Sequence, residues 1–149
     1  MKVIIGGTFA YLHKGHKALI GKAFELGDQI YIGLTTDEYV RKMKHPTGIP
    51  SYQKREGELK KFVKGFGKKF EVMPIHDKFG PSTTDDFDLI VVSDETLATA
   101  EEINRMRREG GRQELTIVKV DYVLAEDSLP ISTTRIIKGE IDREGKLVK

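Results

Sequence analysis

Apolar residues in this chain arrive in short, β-branched runs. Val3-Ile4-Ile5, Ile30-Tyr31-Ile32-Gly33-Leu34, Leu89-Ile90-Val91-Val92 and Leu115-Thr116-Ile117-Val118 are the clearest, and Phe70-Glu71-Val72-Met73-Pro74-Ile75 is a weaker fifth. Each is bounded by polar residues or glycine. The runs are continuous rather than alternating, which predicts strands covered on both faces, as in a parallel sheet.

Between the runs the spacing changes to a helical period. Lys14 to Leu26 places Leu19, Ala23 and Leu26 on one stripe, with Gly27 as its stop. Thr35 and Glu38 have capping-box spacing for a short helix from Thr36. Gln53 to Phe66 aligns Leu59, Phe62, Val63 and Phe66 on one face. Ser93 is placed to cap a helix from Asp94 to Arg108, closed by Gly110-Gly111, and Ser132 to cap a last one reaching Lys138 before Gly139. The predicted order is β-α-β-α-α-β-loop-β-α-β-loop-α, an α/β domain. No repeat, low-complexity segment or domain boundary interrupts it. Residues 1–149 therefore read as a single domain, with 139–149 a polar tail expected to be loosely held.

Composition narrows the class. A chain of 149 residues can build one core without staples, and its recurring apolar runs argue against disorder. It contains no cysteine, which excludes disulfide scaffolds, thiol nucleophiles and cysteine-ligated zinc. A net charge of +2 is too balanced to suggest bulk binding to nucleic acid or membrane. No apolar run approaches the roughly 20 residues that span a bilayer. Met1-Lys2-Val3-Ile4-Ile5 enters a strand without a signal-peptide layout, so the expectation is a soluble, cytoplasmic protein.

In a sheet of this kind ligands bind beyond the carboxyl ends of the strands. Three polar segments converge there. The first, Gly6-Gly7-Thr8-Phe9-Ala10-Tyr11-Leu12-His13-Lys14-Gly15-His16, is neither a GxGxxG fingerprint nor a P-loop. Gly6 and Gly7 let the backbone approach a ligand. His13 and His16, at i and i+3, share one side of a helix start whose free N–H groups and dipole attract anions, with Gly15 leaving room between them. Three other readings stay open: a zinc site with His45 or His76, an ordinary helix start, or a single catalytic base. The second segment carries Arg41, Lys42, Lys44 and His45, then Pro46 to Pro50, with Arg55 beyond. It reads as a basic loop beside the pocket or as solvated charge. The third, Pro130-Ile131-Ser132-Thr133-Thr134-Arg135-Ile136, offers hydroxyls at a helix start and an arginine. It reads as a second anion cradle or as an N-cap with spare hydroxyls. Asp85-Asp86-Phe87-Asp88 reads as a strand-entry cap rather than a metal site.

Gly7-Thr8-Phe9 followed by His13-Lys14-Gly15-His16 resembles the first signature of the HxGH nucleotidyltransferase superfamily, and Ile131-Ser132-Thr133-Thr134-Arg135-Ile136 resembles its second. Ile32 to Glu38, Val91 to Thr96 and Pro130 to Asp142 look like the archaeal type of phosphopantetheine adenylyltransferase. The likeness covers nearly the whole chain. Two departures are Thr133 where that group commonly has serine and Ala10 where an acidic residue is common. The resemblance implies a Rossmann-like, doubly wound, parallel five-stranded sheet in the order 3-2-1-4-5. It implies the reaction of ATP with 4'-phosphopantetheine to give 3'-dephospho-CoA and pyrophosphate in coenzyme A biosynthesis, with magnesium carried on the ATP phosphates. By residue, it implies that His13 and His16 hold the nucleotide phosphates, with Gly6, Gly7 and Gly15 around them. Thr8 and the Phe9 backbone N–H orient the acceptor phosphate, and Lys44 (or Lys42) and Arg55 stand near the phosphates. Ser132, Thr133, Thr134 and Arg135 take the β- and γ-phosphates, and Ser93 to Thr96 lie near the adenine. Feedback by CoA, which shares the acceptor's arm, is a further expectation. The alternatives are another transferase of the superfamily, acting on glycerol 3-phosphate with CTP or on FMN or a nicotinamide mononucleotide with ATP, and a nucleotide-binding module without chemistry.

Overall fold

The computed structural model describes residues 1–43 and 47–148. The five runs form the strands β1 (Lys2–Gly7), β2 (Gln29–Thr35), β3 (Lys69–Ile75), β4 (Leu89–Val92) and β5 (Thr116–Lys119). They pair in one sheet of order β3-β2-β1-β4-β5, and every pairing is parallel. Strand order reverses between β1 and β4, so the ligand crevice opens at their carboxyl ends.

Successive strand residues face opposite sides, and this divides the core into two layers. Val3, Ile5, Leu89 and Val91 meet Ile20, Ala23 and Phe24 of α1 (Lys14–Leu26) and Leu59 and Val63 of α3 (Tyr52–Val63). Ile4, Ile90 and Val92 meet Ala100 and Ile103 of α4 (Leu97–Glu109). The short helices α2 (Asp37–Lys42) and α5 (Thr133–Ile137) follow β2 and the second signature. The central strands β1, β2 and β4 are buried as expected, whereas the edge strands β3 and β5 stay partly exposed because each has a neighbour on one side only.

Several local expectations shift by a residue or a few. The face that α1 buries is Ile20, Ala23 and Phe24, with Leu19 and Leu26 flanking it, because the stripe turns towards β1 and α3. Thr36, not Thr35, caps α2, its hydroxyl accepting from the Tyr39 N–H at 3.1 Å. Helix α4 begins at Leu97. Residues 93–96 instead form a tight turn closed by the Ser93 N–H donating to Thr96 Oγ1 at 3.2 Å.

The tail is not loose. Ile141 is buried and pairs antiparallel with Leu147, and the Asp142 carboxylate accepts from the Glu144 and Lys146 N–H groups at 2.9 Å each. Gly145, at φ +84°, packs where a Cβ would lie 2.7 Å from Ile131. The turn this makes reaches the first signature: the Arg143 carbonyl accepts from Lys14 N–H, and its guanidinium lies over Tyr11 and beside Glu58.

Candidate active site

His13 is the N-cap of α1. Its Nδ1 accepts from the backbone N–H groups of Gly15 at 3.0 Å and His16 at 3.3 Å. His16 returns the bond, its Nδ1 accepting from the His13 N–H at 3.3 Å. The two rings stack with centroids 3.7 Å apart. An Nδ1 that accepts a hydrogen bond carries no proton, so the proton of each neutral ring sits on Nε2. The pair is thus two parallel Nε2–H donors facing away from the helix backbone.

This revises the expected role of the helix end. The Lys14, Gly15 and His16 N–H groups are taken by Arg143, His13 and His13, so the imidazoles replace them as the outward donors. Gly15 also has a different reason. A Cβ there would lie 2.9 Å from His13 Cε1, so glycine is what allows the capping ring to fold back. Burial pushes His13 down to about 4, and burial with the neighbouring His13 charge pushes His16 down to about 3. Between the unfolded value near 6.5 and those folded values the unfolded chain binds more protons. This contribution to stability is therefore full above about pH 6.5 and is lost as the pH falls towards 4 and then 3. Nitrogen-15 imidazole spectra of the free protein are expected to show both rings as neutral Nε2–H tautomers, with no protonation step between about pH 5 and 8. A step near 6.5 in either ring would overturn this assignment.

The turn before the helix is strained. Phe9 and Tyr11 hold φ values of +47° and +51°, a region that costs side-chain-bearing residues energy and gathers at functional sites. Phe9 is buried, its ring edge-on to His16 at 5.3 Å and packed over Gly7, where a Cβ would lie 3.2 Å away. Tyr11 donates to the Gly48 carbonyl at 2.6 Å.

Arg55 was expected near phosphates but is spent inside the protein. It is 1% exposed. Its Nε donates to Pro50 O at 2.9 Å, Nη1 to Thr8 O at 3.0 Å and to Thr35 Oγ1 at 3.2 Å, and Nη2 to Asp37 at 3.3 Å. Arg135 is likewise engaged, by both Asp127 oxygens, by Glu140 and by the Pro130 carbonyl, so it braces the second signature from behind. Within that signature Ser132 Oγ accepts from the Arg135 N–H, while the Thr133 hydroxyl donates to the Ala10 carbonyl at 3.0 Å. Thr133 thereby ties the two signatures together. Among the described residues, the Ser132 and Thr134 hydroxyl protons have no acceptor. Lys42 is exposed and pairs with Glu38 at 3.4 Å. Lys44 and His45 lie outside the described residues.

On the other face of β1, an apolar slot of about 160 Å³ opens at the carboxyl ends of the strands. It is lined mainly by Ile4, Ile75, Phe79, Ile90 and Val92, with Lys78, Ser82 and Thr99 among its polar lining and Gly6, Gly7, Thr8, Thr35 and Thr96 at the strand ends. Arg107, buried in α4, holds the 82–85 segment against it through the Ser82 and Asp85 carbonyls at 2.8 Å each. Thr8 stands on the slot's rim, one residue before the Phe9 that touches His16. A larger open depression of about 870 Å³ lies at the opposite end of the sheet, among Lys2, Asp28, Lys68 and Asp88, remote from both signatures.

Residues 4–139 match the family described as cytidylyltransferase-like. The chain belongs to that family. A phosphopantetheine adenylyltransferase of Methanosarcina mazei is 49% identical over 99% of this chain and 97% of its own. One of Methanosarcina acetivorans is 50% identical over 98% and 95%. A bifunctional phosphopantetheine adenylyltransferase/NTP phosphatase of Thermoplasma volcanium is 47% identical over the whole of this chain but 45% of its own. Among solved structures, a protein of unknown function from Archaeoglobus fulgidus superposes with a TM-score of 0.74 at 40% identity, covering 81% of this chain and 90% of that one.

This cytidylyltransferase-like chain is a nucleotidyltransferase in which the second signature touches the first through Thr133 and the Ala10 carbonyl. Among the described residues, no three His, Asp or Glu side chains cluster as a metal cage, and the donors at the crevice are N–H and O–H groups, which suit anions. No helix is long and apolar enough to cross a membrane among those residues. Reading the sequence alone placed Tyr11, Thr35 and Asp37 in the converging segments without a role in the site and gave Arg143 none. Thr35 carried a usable signal, since a hydroxyl directly after an apolar strand falls at the carboxyl edge where ligands bind.

Proposed function

We propose that this protein transfers the adenylyl group of ATP to 4'-phosphopantetheine, giving 3'-dephospho-CoA and pyrophosphate in coenzyme A biosynthesis. The observation that carries this reading is the apolar slot whose rim is Thr8. A phosphate at Thr8 would lie between the segment that carries the Nε2–H pair and the largely apolar slot, which would suit an acceptor with a long, uncharged arm. Ile75, Phe79 and Ile90 would pack an uncharged arm better than the short, hydroxylated body of glycerol phosphate. The names of the archaeal relatives agree.

An oxygen of the acceptor phosphate attacks the α-phosphorus of ATP, and the bond to the pyrophosphate oxygen breaks. The nucleophile is already an anion at neutral pH, so no strong general base is needed. The chain's task is to hold two anions in line and stabilise the charge that moves onto pyrophosphate. His13 and His16 would donate through Nε2–H to the transferring phosphates. Thr8, with the Phe9 N–H, would hold the acceptor phosphate. Ser132 and Thr134 would donate to the β- and γ-phosphates, with Thr133 fixing their segment and Arg135 bracing it. The Ser93 to Thr96 turn, at the end of β4, would face the adenine, and Lys44 would reach the phosphates from its loop. Magnesium would arrive with the ATP as its phosphate-bound ion. Arg55 acts through Thr8 and Pro50 rather than on the phosphates. CoA, carrying the same arm, is expected to compete for the slot.

The test is direct. The protein is incubated with ATP, magnesium and 4'-phosphopantetheine, and in parallel with CTP and glycerol 3-phosphate, and products are read by mass spectrometry. Dephospho-CoA with pyrophosphate is the expected result. Turnover in the parallel reaction alone would keep the phosphate chemistry and overturn the acceptor.

A further inference from the structure

We propose that Thr35 is a positioning residue that sets the Thr8 hydroxyl as a hydrogen-bond donor before the acceptor phosphate arrives. The inference rests on the adenylyl-transfer reading and deepens it.

A threonine hydroxyl has one proton and can point it in several directions. Thr35 is 3% exposed at the end of β2, and its Oγ1 donates to Thr8 Oγ1 at 3.0 Å. Arg55, whose Nη1 lies 3.2 Å from Thr35 Oγ1 and can only donate, fills one of that oxygen's two lone pairs, which favours this direction. With one lone pair taken by Arg55, Thr35 gives its proton to Thr8. The Thr8 oxygen is therefore already an acceptor, and its proton is turned away from Thr35, towards the crevice on whose rim Thr8 lies. Arg55 Nη1 also holds the Thr8 carbonyl at 3.0 Å, so the same guanidinium fixes both the backbone and, through Thr35, the hydroxyl. The nearest charged partner of this relay is Asp37, on the far nitrogen of Arg55. A donor aimed in advance needs no reorganisation when the phosphate binds, which is where preset dipoles lower a barrier. Without Thr35, no donor fixes the Thr8 oxygen, and its proton is free to rotate among several directions.

The test is a double-mutant cycle. Thr35→Val keeps the shape and removes the hydroxyl, and Thr35→Ser keeps the hydroxyl. Each is assayed with ATP and 4'-phosphopantetheine, in the wild-type background and in Thr8→Val. Thr35→Val is expected to lower kcat about tenfold, the scale of one hydrogen bond, with KM for ATP little changed, and Thr35→Ser to recover most of the rate. In the Thr8→Val background Thr35→Val should have almost no further effect, because Thr35 acts only through Thr8. Wild-type kcat in Thr35→Val, or an equal loss in both backgrounds, would overturn the proposal. Thr35→Ala takes the place of valine, with the same expectation, should the valine variant not fold. A wild-type protein that makes no dephospho-CoA would instead overturn the assigned reaction, so the two failures are distinguishable.

Discussion

Replacing His16 with alanine is expected to lower kcat by about two orders of magnitude or more, with little change in KM for ATP. The His16 imidazole contributes a single preorganised Nε2–H whose direction is locked from behind, since its Nδ1 holds the His13 N–H and its ring is stacked on His13. Donors of this kind act on charge that develops during transfer, and removing one typically costs on the order of 10² to 10³ in turnover. The loss should be the same from about pH 5 to 8, because over that range the group works as a neutral donor and not as a cation that titrates away. His13→Ala is the less clean experiment. It removes a donor and also the cap of α1, so about 1 kcal/mol of stability should go with the rate. Near-wild-type steady-state turnover in His16→Ala, in a protein that melts like the parent, would sink this mechanism.

The second large effect is on folding. Arg55→Ala is expected to lose about 3 kcal/mol or more, a fall in Tm of roughly 10 °C for a chain of this size. Most of that comes from the neutral partners. Asp37 is half-exposed and can return to water, so its ion pair is worth little. The Pro50 and Thr8 carbonyls and the Thr35 hydroxyl would be left beside a cavity the size of a guanidinium. Arg55→Lys should recover only part of the loss, since one ammonium cannot span Pro50 O, Thr8 O and Asp37 as a planar fork does. Activity should fall together with stability, because the Thr8 carbonyl is held by the same group. Thermal melts beside kcat measurements check this. An Arg55→Ala protein with parental Tm would show that the buried fork contributes nothing net.

The five strand runs, the helical stretches between them and the two signatures were all legible along the chain. The reason is that strand burial and helical period are local patterns, and each signature is contiguous. Arg55 shows where that legibility stops. Its place in the sequence, after a basic loop, suggests a phosphate contact, yet four of its hydrogen bonds go to residues 5 to 47 positions away. Gly15 shows the same limit on a smaller scale, since only the folded position of the His13 ring reveals what a Cβ there would strike. The tail read as loose because its composition is polar, whereas Ile141 and the Asp142 turn dock it against Ile131 and Lys14.

By itself, then, the sequence determined the parallel α/β sheet and its two signatures. These depend on periodicity and on short stretches whose residues meet their neighbours in any fold that forms. Tertiary structure alone decided that the histidines are neutral donors, that Thr133 joins one signature to the other, and that Arg55 and Thr35 serve Thr8 from behind. Each of those depends on burial and on which groups the closing sheet brings within hydrogen-bond reach, and neither quantity is a property of any segment taken alone.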